Sequence, residues 1–92
     1  MVKSLGEVLQ ELLHQYGLVQ RVKEFEAMNL WPEVVGEQVA KVSAARDVRD
    51  GCLYVEVTNS VWRNELYYMK PELIAKINRK IGQNLIHDIL LV

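Results

Sequence analysis

The spacing of apolar residues changes once along the chain, from helical steps to strict alternation. Leu5, Val8, Leu9, Leu12, Leu13 and Tyr16 fall on one narrow stripe of a helical wheel. That pattern predicts an amphipathic helix with one buried face. Ser4 and Glu7 form an S-x-x-E capping box at its start, and Gly17 marks its end. Leu18, Val22 and Phe25 predict a second, weaker helical stripe. Asn29 is placed to cap a third helix, in which Trp31, Val35 and Val39 stack at i, i+4 and i+8, with Pro32 in the first turn. Gly36 then falls inside that helix, and a close backbone neighbour is the expected reason for it.

After Val42 the period becomes two. Val42 to Arg49 predicts an irregular strand, and Asp50-Gly51 is a hairpin turn signal. From Cys52 to Thr58, Leu53, Val55 and Val57 alternate with Tyr54, Glu56 and Thr58, a half-buried strand. Asn59-Ser60 caps a long helix carrying Trp62, Leu66, Met69, Leu73, Ile74, Ile77 and Ile81, kinked or split near Lys70 by Pro71, and stopped by Gly82. Leu85 to Val92 predicts a last strand, which a helical crossover allows to lie parallel to a hairpin strand. The fold class is therefore α+β. It is a two-layer sandwich with helices on one face of a three-stranded mixed sheet, in the order α-α-α-β-β-α(kinked)-β. The length of 92 residues supports one domain, residues 1–92, with one core.

Composition narrows the chemistry. Half of the residues are hydrophobic and a quarter charged, the profile of a globular protein. Cys52 is the only cysteine, so no internal disulfide forms, and with His14 and His87 alone beside it no four-ligand zinc site is expected. No signal peptide or run of about 18 apolar residues is present, and a cytoplasmic location without membrane contact is expected. No nucleophile motif, phosphate loop or dinucleotide fingerprint occurs, so neither catalysis nor a cofactor is expected.

Eleven basic residues face twelve acidic ones, a net charge of −1. The balance hides a polarity. Residues 1–45 carry four basic and six acidic side chains, whereas Ser60 to Gln83 carries five basic and two acidic. Lys76, Arg79 and Lys80 stand at i, i+3 and i+4 and share a helix face, with Arg63 and Lys70 upstream. These five are the candidate contacts for nucleic acid or an acidic partner, and Arg46 and Arg49 extend them if the first strand faces outward. A solvated face whose basic end suits the helix dipole is the plainer alternative. Trp31 and Trp62 lie on apolar stripes and are expected in the core, with Tyr67 and Tyr68 flanking theirs.

Three segments in order resemble one family: Trp31-Pro32-Glu33-Val34-Val35-Gly36; the hairpin Val48-Arg49-Asp50-Gly51-Cys52-Leu53-Tyr54-Val55-Glu56-Val57; and the helix start Ser60-Val61-Trp62-Arg63-Asn64-Glu65-Leu66. Ile77-Asn78-Arg79-Lys80-Ile81-Gly82 and Ile86-His87-Asp88-Ile89 also match its ending. The sequence resembles the DciA-type family over about residues 5–92. That resemblance implies a KH-like fold and a bacterial replication accessory that engages the DnaB-type helicase and assists its loading on DNA. Single-stranded DNA is implied as a weaker partner. A stand-alone KH-like domain binding single-stranded DNA or RNA is the alternative. KH domains clamp nucleic acid with a GxxG loop, whereas the break between the helical halves here reads Met69-Lys70-Pro71-Glu72, without glycine. The resemblance implies that many members of that family carry a basic, flexible extension before or after this domain. With the sequence ending at Val92, protein recognition is expected to dominate over DNA contact. A third reading, a homodimer, would use the strand Leu85 to Val92 as an open sheet edge.

Overall fold

Alternation in Cys52–Val57 produces the centre of the sheet. In the computed structural model, which describes residues 3–15 and 17–92, this strand (β2) puts Leu53, Val55 and Val57 into the core. It pairs antiparallel with Ser43–Arg49 (β1) and parallel with Asp88–Leu91 (β3), in the order β1-β2-β3. Asp50 and Gly51 turn the hairpin with φ of 50° and 78°, the positive values a tight two-residue turn requires. Gly51 is doubly constrained, because a Cβ there would lie 2.5 Å from the His87 ring. The irregular pattern of β1 has a physical cause. A bulge at Arg46 lies between the pairs Ala45↔Val55 and Asp47↔Tyr54, so Ala45 and Val48 both reach the core although three positions apart.

The helices cover one sheet face. Leu5–Gln15 (α1) is followed by Leu18–Val35 (α2), Glu37–Ala40 (α3) and, after β2, Ser60–Ile81 (α4). The predicted order α-α-α-β-β-α-β holds, with corrections to its helices. The second and third predicted segments are one helix, and Asn29 lies inside it rather than capping anything. Ala27, Trp31 and Val34 share a buried stripe that carries α2 through Pro32. Gly36 is not a close-packing glycine, since nothing lies within 4 Å of a Cβ there. It breaks α2 from α3 at φ 88°, ψ 167°, a conformation essentially confined to glycine. Pro71 does not divide α4, because Leu66 before it and Leu73, Ile77 and Ile81 after it are buried in the same core. Asn59 caps α4, its Oδ1 accepting from the Trp62 N–H at 2.9 Å, and the helix stops at Gly82.

Trp31 is buried in the core as expected, and Trp62 packs against it while partly exposed. The last strand is shorter than its apolar run. Leu85 and Ile86 are buried ahead of β3, and His87 precedes it, donating its N–H to the Gly51 carbonyl at 2.7 Å.

The largest correction concerns α1. Its helix forms, with Ser4 Oγ accepting from the Glu7 N–H at 3.2 Å as the predicted cap. Its apolar face is not buried: Leu5 is 75% exposed and Leu9 50%, with Val8 and Leu12 also exposed. Tyr16 lies outside the described residues, as does the Leu13 side chain. The stripe of α2 that begins at Leu18 is open too, at Val22 and Phe25. The molecule is accordingly long, 59 × 23 × 20 Å, with a radius of gyration of 15.6 Å. A compact chain of this length would have about 12 Å. We call α1 and the first turns of α2 the arm.

Arg21 ties the base of the arm to the sheet. Its guanidinium donates to Asp47 Oδ1 at 3.2 Å and to the Val48 carbonyl at 3.1 Å. Hydrogen bonds from Arg49, the Val48 N–H and Arg21 hold the Asp47 carboxyl below the usual carboxylate range. An acid in this position binds protons less readily folded than unfolded, so it contributes stability that is complete above about pH 4 and lost as pH falls through its lowered value. Asp47→Asn is therefore expected to flatten the acid limb of stability below pH 4, measured by urea unfolding at a series of pH values.

Candidate nucleic-acid or partner interface

Helix α4 lies between α2 and β3, and this position sorts its basic residues. Arg63 and Lys70 are two turns apart on one flank, whereas Arg63 and Arg79 stand about 160° apart around the axis. The five candidates therefore do not form one surface.

Arg63 and Lys70 border β3. The Arg63 Nη2 donates to the Val57 carbonyl at 2.5 Å, and its buried Nε has no hydrogen-bond partner. Arg63 lines a shallow groove of about 320 Å³ with Ser60, Asn64, Tyr67 and Leu91. The Lys70 ammonium lies 4.9 Å from the centroid of the Tyr67 ring and 3.7 Å from Asp88 Oδ1. Its side chain is only 22% exposed. Both charges are thus engaged in holding α4 to the sheet. Tyr67 and Tyr68 are exposed and stacked edge to face, centroids 5.4 Å apart.

Lys76, Arg79 and Lys80 do come together, as their spacing requires. They line an open groove of about 330 Å³ with Glu33 and Val34 of α2. Lys80 is spanned to Glu33 at 3.0 Å. Among the described residues, Lys76 and Arg79 have no carboxylate within ion-pairing distance. This face therefore offers two unneutralised cations in the last turns of a helix, beside a neutral pair.

Arg46 and Arg49 do not extend that face. Both lie on β1, Arg46 donating to Glu56 at 3.1 Å and Arg49 to Asp47 at 2.7 Å. The sheet face away from the helices carries these pairs around half-buried Cys52 and Tyr54. Its charge is internally balanced, unlike a surface built to attract phosphates. His14 is exposed, and among the described residues no group of three metal-ligating side chains forms. No helix among them is long and apolar enough to cross a membrane.

Sequence reasoning missed Asn78. Its Oδ1 accepts from the Leu85 N–H at 3.1 Å and the Ile86 N–H at 2.9 Å, and its Nδ2 donates to the Ile86 carbonyl at 2.8 Å. One side chain thereby fastens the segment leading into β3 onto α4. Its position among the residues quoted for the family resemblance was the available signal.

Comparison with known proteins identifies the relatives of this chain. Residues 4–91 match the family described as "Dna[CI] antecedent, DciA". A UPF0232 protein of Mycobacterium tuberculosis (strain ATCC 25618 / H37Rv) is 31% identical over 87 residues, covering 95% of this chain and 46% of that protein. One of Bifidobacterium longum (strain NCC 2705) is 31% identical over 78 residues, covering 85% of this chain and 50% of that protein. One of Rhodococcus jostii (strain RHA1) is 27% identical over 87 residues, covering 95% and 46%. The chain spans about half the length of the curated relatives it matches. With the family match running from Ser4 through Leu91, across every element of the fold, the chain belongs to the DciA family.

Proposed function

We propose that this chain is a non-enzymatic replication accessory that engages the DnaB-type helicase and assists its loading on DNA. The observation that carries the reading is the family match over nearly the whole chain, whose description names an antecedent of the DnaC and DnaI type of protein. The fold suits recognition better than catalysis: its grooves are open and shallow, and its charged side chains are mostly engaged with one another.

The face of Lys76, Arg79 and Lys80 is the part of the surface we assign to an acidic partner, and Lys76 and Arg79 give it the means to touch single-stranded DNA weakly. Two phosphate contacts on a single strand would produce a slope of log K against log salt of only about −1.4. Direct reading of RNA or DNA by the sheet is disfavoured by the paired charges on its open face.

The test is a pull-down with the replicative helicase of the same organism, with fluorescence anisotropy on oligonucleotides at two salt concentrations. Capture of the helicase with weak DNA binding is expected. No capture, with tight oligonucleotide binding at physiological salt, would replace this reading by a stand-alone nucleic-acid binder. Reversing Lys76, Arg79 and Lys80 together to glutamate is expected to weaken helicase binding by about 10-fold or more, as loss of charge complementarity does at interfaces. Unchanged binding by a folded triple variant would remove this face from the mechanism.

A further inference from the structure

None of the described residues covers the apolar face of the arm, yet its construction calls for a cover. An isolated helix of fewer than about 12–15 residues is marginal in water, and α1 has 11. In folded proteins such a helix is held by packing its apolar stripe. Here α2 is the main neighbour of α1, and it leaves Leu5, Leu9 and Leu12 exposed while exposing Val22 and Phe25 of its own. A groove of about 370 Å³, bounded by Gln10, Val19, Val22, Lys23 and Glu26, lies between the two helices.

We propose that the arm is a self-association surface, covered by the arm of a second copy of this chain. The area argues for this occupant. Together the exposed large apolar side chains from Leu5 to Phe25 present roughly 600 Å² per chain. That total equals the largest apolar patch a typical monomer exposes. Full burial of both arms would remove at most roughly 1,200 Å² of apolar surface, the lower end of the range for specific interfaces. A two-fold axis makes such a surface its own complement. It also brings four helical segments around one shared core, the packing by which short amphipathic helices stabilise each other. The sheet edge at β3 offers less, since its exposed large apolar side chains are Leu90 and, just beyond it, Val92.

Sedimentation velocity of the whole chain across a concentration series tests the proposal. A dimer is expected for the native sequence. The double variant Leu9→Glu, Val22→Glu is expected to raise its dissociation constant by on the order of 100-fold or more. Both positions are exposed, so the sheet and core should keep their near-ultraviolet circular dichroism. A dimer that survives this variant but dissociates in Leu90→Glu would put the interface on β3 and overturn the proposal. A native chain that is monomeric at every concentration would also overturn it. If that monomer loses helicase capture in the double variant, the arm belongs to the helicase instead. A dimer abolished in the double variant with helicase capture intact supports self-association and leaves the functional reading standing.

Discussion

Trp31→Ala is expected to lower the stability of this chain by about 3–5 kcal/mol, the usual cost of emptying an aromatic site in a core. The residue is 1% exposed, and its indole N–H donates to Ser43 Oγ at 2.9 Å, which in turn donates to the Val39 carbonyl at 2.7 Å. One side chain therefore joins α2, the short α3 and the start of β1. The substitution both leaves a cavity and strips Ser43 of its donor. A domain of this length has roughly 5–14 kcal/mol in total, so a large part of the population would unfold at modest denaturant. Urea unfolding followed by far-ultraviolet circular dichroism gives the number. Trp31→Phe keeps most of the apolar volume and loses the hydrogen bond, and should cost only about 1–2 kcal/mol. A loss under 1 kcal/mol for the alanine variant would contradict the packing described here.

Asn78→Ala is expected to cost about 2–4 kcal/mol, out of proportion to the few atoms removed. The penalty comes from what is left behind. Ile86 is 1% exposed, and the substitution deprives its N–H and its carbonyl of their partners, each unsatisfied buried group costing about 1–3 kcal/mol. Leu85 fares better, since its N–H also reaches the Gln83 carbonyl at 2.9 Å. Asn78→Asp retains the acceptor but turns a carboxylate oxygen toward the Ile86 carbonyl in place of the donor, so it should also be clearly less stable than the native chain. Thermal unfolding of the three proteins at one pH orders them, and an alanine variant as stable as the native chain would show that the segment before β3 is held by its apolar side chains alone.

These two residues mark where sequence reading succeeds and where it stops. Trp31 was legible because an aromatic on a helical stripe has few places to go but the core. Leu53, Val55 and Val57 were legible because alternation fixes both the strand and its buried face. Asn78 was not, because a polar residue between Ile77 and Arg79 reads as a solvated position, and its partners lie seven and eight residues onward, beyond the helix. The error over α1 has a different origin. Periodicity shows that Leu5, Val8, Leu9 and Leu12 share a face, but not that the same chain provides anything to cover it. Asn29 and Pro32 carry real helix-start signals, which the burial of Ala27, Trp31 and Val34 overrides. On the candidate face, the grouping of Lys76, Arg79 and Lys80 followed from helical spacing alone. The engagement of Arg63 with Val57 and of Lys70 with Asp88 depended on a sheet pairing that no local pattern reveals.

The parallel pairing of β2 with β3 makes its closure the most costly step in chain entropy within this sheet. The hairpin closes from Arg49 and Cys52, three positions apart, whereas Cys52 must find Asp88 across α4. Closing the longer loop costs about 2 kcal/mol more in chain entropy. Contacts this distant in sequence slow folding. Once formed, α4 replaces a flexible loop by a rod and shortens the search. The hairpin and α4 are therefore expected to form before β3 completes the sheet, and Asn78 then fastens the segment that leads into β3.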